Sequence, residues 1–107
     1  MDSKSFDLLK NIPDKSKDEI FETILEKKDI KIERIISYGQ TTAKDYWYDQ
    51  DQDEFVLILK GKAKIKYELG EIIQLDEGSS IYIKAHEKHQ VIYTTNPTIW
   101  LAIFFNT

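Results

Sequence analysis

Asp49-Gln-Asp-Gln-Asp-Glu54-Phe-Val-Leu-Ile-Leu-Lys-Gly61 and Gly78-Ser-Ser-Ile-Tyr-Ile-Lys-Ala-His86-Glu-Lys-His89 are the two stretches that decide how this chain is read. Each joins an acidic or histidine-bearing loop to an apolar run marked by glycine. Phe55 to Leu59 is apolar at every position, as in a strand covered on both faces. Working outward, Lys62 to Leu69 alternates: Ala63, Ile65, Tyr67 and Leu69 are predicted to face inward, and Lys62, Lys64, Lys66 and Glu68 to face water. Ile30–Ser37, Ile72–Leu75, Ser80–Lys84, Gln90–Thr94 and Thr98–Phe105 are further strand segments, broken at Gly61, Gly70, Glu77-Gly78 and Asn96-Pro97. Short strands this closely spaced, with no helix between them, indicate an antiparallel sandwich or barrel.

The N-terminal segment has a different pattern. Ser16-Lys-Asp-Glu19 has the form of a capping box, and Ile20, Phe21, Ile24 and Leu25 follow at the spacing of one helical stripe. Lys27 and Lys28 suit the last turn of such a helix. The expectation is a helical segment over 1–29 packed on a barrel formed by 30–107.

The two opening stretches resemble the two sequence motifs of the cupin family. The first motif runs Gly, five residues, His-x-His, three or four residues, Glu, six residues, Gly; Glu54 and Gly61 have the required separation. Counting back four residues from Glu54 puts the histidine positions at Trp47 and Asp49, and counting back three puts them at Tyr48 and Gln50. The first register keeps a carboxylate at a ligand position and is preferred here. The second motif runs Gly, five residues, Pro-x-Gly, two residues, His, three residues, Asn. Gly78 and His89 fit it, while Lys84, His86 and Tyr93 replace the proline, glycine and asparagine. The resemblance spans roughly residues 39–105 and implies an all-β antiparallel jelly-roll barrel, the double-stranded β-helix, often with a metal inside.

On that basis the expected metal ligands are Asp49, Glu54 and His89, with Gln50 and His86 as accessory groups. A mixed imidazole and carboxylate set suits Zn, Mn, Fe or Ni. Trp47 and Tyr48, beside Tyr46, are expected to rim the cavity that receives a small polar ligand. Asp51 and Asp53 are read as solvated loop carboxylates. If the chain is catalytic, the resemblance implies isomerisation, epimerisation, decarboxylation or dioxygenation. The alternative is a binding or sensing module that needs no metal.

Composition narrows the partners. The 107 residues carry a net charge of −4, with lysines scattered among acids, which disfavours a nucleic-acid partner. There is no cysteine for a disulfide framework or thiolate chemistry. No apolar run is long enough to span a bilayer, and the start lacks a basic-then-apolar leader pattern, so no membrane partner and a cytoplasmic location are expected. The surplus of apolar residues in Ile30–Ile36 and Ile99–Phe105 predicts a homodimer.

Overall fold

A computed structural model describes residues 5–106, and these form eight strands and no helix. In chain order they are β1 (Ile20–Lys27), β2 (Ile30–Ser37), β3 (Asp53–Lys60), β4 (Ala63–Tyr67), β5 (Ile72–Leu75), β6 (Ser80–Ile83), β7 (His89–Thr94) and β8 (Thr98–Phe105). A five-stranded sheet in the order β1-β2-β8-β3-β6 faces a three-stranded sheet in the order β5-β4-β7, and every pairing is antiparallel. This is the expected jelly-roll barrel.

Between the sheets, Val56 and Ile58 of β3 pack with Ala63 and Ile65 of β4, and Leu75, Ile83, Trp100 and Ala102 complete the core. All eight are inward positions of period-two strands, so one alternation accounts for both the pleat and the core. Gly61, at φ +87°, makes the β3–β4 turn against the β7–β8 connection; a Cβ there would come within 2.6 Å of the Pro97 carbonyl oxygen.

The expected helix is replaced by a strand. β1 pairs with β2 from Ile20↔Ile36 to Lys27↔Ile30, with a bulge between Thr23 and Leu25. Ser16 does not cap: its hydroxyl donates to the Asp18 carbonyl, and the Glu19 carboxylate accepts from the Ser37 hydroxyl. The stretch Ile20-Phe-Glu-Thr-Ile is rich in β-branched and aromatic residues, and the open edge of β2 satisfies its backbone. Tertiary pairing overrides the helical stripe. Leu69 also departs from expectation. β4 ends at Tyr67, a turn closes with the Gly70 amide donating to the Tyr67 carbonyl, and Leu69 is 99% exposed.

The outer face of the large sheet is also apolar. Tyr82, Phe55, Ile103, Ile32 and Leu25 stand opposite one another in a single row across all five strands. Phe55, expected to be covered, is 38% exposed. Beside this row the N-terminal arm lies over Arg34, whose buried guanidinium donates to Glu22 and to the carbonyls of Leu8 and Lys10, under the Phe6 ring. Among the described residues no helix is long and apolar enough to cross a membrane.

Candidate functional site

Glu54 enters the barrel at the start of β3, one residue after Asp53 has turned outward. The two carboxylates have opposite tasks. Asp53, expected in a solvated loop, is buried and accepts from the Ala85 amide and the Tyr82 hydroxyl, both at 2.8 Å, so it ties β3 to the β6–β7 connection. Glu54 is 8% exposed and lines the cavity, where its Oε1 accepts from the Gln50 side-chain amide at 2.9 Å. Burial pushes its pKa up, the Gln50 bond opposes that, and the Glu33 charge adds to it.

His89 starts β7 and is 4% exposed. Its Nδ1 lies 2.9 Å from the Glu87 carbonyl oxygen, which can only accept, so Nδ1 carries the proton and Nε2 keeps its lone pair. Burial lowers the pKa of this ring, and the Glu87 carbonyl and charge partly oppose it. At neutral pH the geometry therefore offers a neutral imidazole with a free acceptor nitrogen.

Glu54 and His89 line one cavity of about 110 Å³, half-open to solvent. Ile65 and Val91 close its small-sheet side, and Ile35, Val56, Trp100 and Phe104 close its large-sheet side. Tyr48 covers it from the loop before β3. It forms an isolated bridge with His89, with the two rings stacked at 5.5 Å, and Tyr46 meets Tyr48 edge-on. The Gln90 amide holds that loop by donating to the Lys44 and Tyr46 carbonyls.

The expected metal set divides. Glu54, His89 and Gln50 converge on the cavity, whereas Asp49 turns outward and bonds His86 Nδ1 at 2.8 Å in an exposed loop pair, with Asp51 at 3.7 Å from Nε2. Tyr48 lines the cavity, and Trp47 is not among its lining residues. The preferred motif register is thereby corrected. Tyr48 and Gln50, not Trp47 and Asp49, occupy the inward positions, with three residues between Gln50 and Glu54. The physical reason is the Tyr48–His89 backbone bridge, which fixes the loop with every second residue inward.

Several cavity groups were not expected. Glu19 and Glu33 bring two further carboxylates, Phe21 stands at the open side, and the Trp100 indole donates to Ser37 Oγ at 3.0 Å, beside the Glu19 contact. Glu33 was legible in principle, because alternation along β2 puts Lys31, Glu33 and Ile35 on one face. Glu19 was not, because it sat inside an apparent capping box.

A family model for the cupin domain matches residues 34–104. The chain belongs to the cupin family. Among solved structures, it is 38% identical to a candidate mannose-6-phosphate isomerase from Ralstonia eutropha JMP134, with a TM-score of 0.94 over 98% of this chain and 100% of that one. It is 22% identical to a conserved protein of unknown function from Streptococcus pyogenes, with a TM-score of 0.79 over 98% and 89%. A protein from Thermus thermophilus gives 15% identity and a TM-score of 0.79 over 97% and 98%. The last two establish the fold alone. No curated protein matches the chain.

Cupins often hold a metal, so the donor set decides whether one fits here. With Tyr48 and Gln50 at the two histidine positions, Glu54 and His89 are left as a pair. Among the described residues no group of three or more His, Asp or Glu side chains is arranged to hold a metal ion. Catalytic zinc sites use three protein ligands and structural sites four. The residues present do not fit a tightly held metal.

Proposed function

We propose that this cupin binds one small molecule in its cavity without a metal, using an apolar wall for the ligand body and Glu54, Gln50 and His89 for its polar head. The observation that carries this reading is the convergence of a buried carboxylate and a buried neutral imidazole on one half-open cavity. Such convergent polar groups within apolar walls are the usual makings of a ligand site. Cavities of roughly this size accept a ring or a small head group, so a larger ligand would leave part of itself in the mouth.

The test is a thermal-shift screen of small polar compounds in the presence of chelator. A ligand at about 100 times its Kd adds roughly 2.7 kcal/mol of stability. Compounds that stabilise the parent and not His89→Ala would support the reading. If no compound stabilises the parent, the binding role is lost.

Kinship with a candidate sugar isomerase favours a second reading, in which the pair moves a proton. A group with a raised pKa beside one with a lowered pKa suits acid–base work. His89 Nε2 would take a proton from a carbon next to a carbonyl, and Glu54, in the fraction that carries a proton, would give one to the oxygen. Deuterium exchange from solvent into a bound hydroxy-aldehyde, lost in His89→Ala, is the expected sign.

The outer row from Tyr82 to Leu25 supports a homodimer in the same proposal. Monomers rarely leave an apolar patch of this kind open, and a second copy of the same row is self-complementary.

A further inference from the structure

The cavity has an unequal charge inventory. Glu19, Glu33 and Glu54 line it, and among the described residues no lysine or arginine does. The one arginine in its vicinity, Arg34, follows Glu33 in β2 and therefore points to the opposite face, where the carbonyls of Leu8 and Lys10 and the Glu22 carboxylate engage it. Four aromatic residues, Phe21, Tyr48, Trp100 and Phe104, share the apolar wall with aliphatic side chains. Aromatic faces attract cations, and carboxylates beside them strengthen that preference while repelling anions.

The protein already shows this chemistry with one of its own side chains. Lys31 Nζ lies 5.6 Å from the centroid of the Phe104 ring and 3.3 Å from Glu33 Oε2. Both partners line the cavity and Lys31 itself does not. An ammonium group is therefore lodged between one aromatic and one carboxylate of the wall. Phe21 is 57% exposed, which leaves its ring open to a ligand entering from solvent.

We propose that the cavity selects a cationic head group, an alkylammonium or similar organic cation, and rejects phosphorylated sugars. The proposal rests on the small-ligand reading above and names the ligand class for that same site. Glu33 and Glu54 supply the counter-charge, the aromatic wall receives the alkyl groups, and Lys31 competes from the rim for Glu33 and Phe104. A phosphate would meet three carboxylates, of which Glu33 alone is offset, by Lys31 at the edge of the lining. In this respect the pocket departs from the substrate in the name of the Ralstonia relative.

The experiment uses three probes on the full chain: tetramethylammonium, tert-butanol as an uncharged body of similar bulk, and mannose 6-phosphate. Binding is followed on the ring signals of His89 and Trp100 by nuclear magnetic resonance, which places each probe in the cavity. Tetramethylammonium is expected to bind about tenfold tighter than tert-butanol, and mannose 6-phosphate is expected to leave the signals unmoved. Lys31→Gln, which removes the competing ammonium, should tighten tetramethylammonium several-fold. Glu33→Gln and Phe21→Leu should each weaken tetramethylammonium several-fold more than they weaken tert-butanol. Retained binding of tert-butanol shows that the fold is kept. Equal affinity for the cation and tert-butanol overturns the cation preference while leaving the cavity reading standing. Binding of mannose 6-phosphate, or weaker cation binding in Lys31→Gln, overturns it as well. If none of the probes moves either signal, the cavity reading itself fails and takes this inference with it.

Discussion

Tyr48 and His89 pair across an isolated antiparallel bridge, each backbone amide donating to the other's carbonyl, with their rings stacked 5.5 Å apart. The bridge links the two motif stretches and fixes which loop residues point inward. Because Tyr48 is inward, Gln50 is too, and Asp49 is outward beside His86.

Gln50→Ala and Asp49→Ala should therefore differ. Gln50 donates directly to Glu54, so its loss removes a charge-assisted hydrogen bond from the site. Ligand affinity is expected to fall about tenfold in Gln50→Ala, in line with the usual worth of such a bond. Asp49→Ala frees only His86 and should leave affinity within about twofold, since exposed pairs contribute little. Calorimetric titration of both variants with one cavity ligand makes the comparison.

Glu54 and His89 predict opposite pH slopes. Burial raises the Glu54 pKa above its unfolded value, so the folded state holds the proton longer. Its contribution to stability is present below the unfolded value near 4.5 and is lost as pH rises through the higher folded value. Burial lowers the His89 pKa, so its contribution is full above the unfolded value near 6.5 and is lost as pH falls through the lower folded value. Glu54→Gln keeps an oxygen for Gln50 but removes the buried charge. It should stabilise the protein at neutral pH by roughly 1 kcal/mol, flatten the decline above pH 4.5 and leave the His89 decline in place. Chemical unfolding of parent and variant, measured from about pH 4 to about pH 8, checks all three expectations.

Much of this could be read from residues alone, and the misreadings have physical causes. Ile72–Leu75 and Thr98–Phe105 were expected and found with the same bounds, because their apolar runs end at turns that stop the backbone. Glu54 and His89 were legible because motif spacing fixed them relative to Gly61 and Gly78. β1 was not, since Ile20, Phe21, Ile24 and Leu25 fit a helical stripe as well as a bulged strand, and only the free edge of β2 decides between them. The register of the loop before β3 was equally hidden. It depends on a backbone bridge between residues far apart in sequence, which side-chain spacing does not encode.

The apolar row across the outer sheet face predicts a dimer that one charge can break. Phe55 and Ile103 stand opposite each other near the centre of that row and point away from the cavity. Phe55→Lys, which alters a part-exposed ring rather than the core, is expected to convert the dimer to a monomer near 12.6 kDa in sedimentation. Ligand binding should be unchanged. A parent that sediments as a monomer at high concentration refutes the interface.

The most direct measurement follows the His89 and Trp100 ring signals during titration with a cavity ligand, once in excess chelator and once with Zn, Mn, Fe(II) or Ni added. Among the described residues no third His, Asp or Glu is arranged with Glu54 and His89 to hold an ion, so the predicted result is the same affinity and the same shifts in both conditions. Binding that disappears in chelator and returns with one of these ions would contradict a metal-independent site.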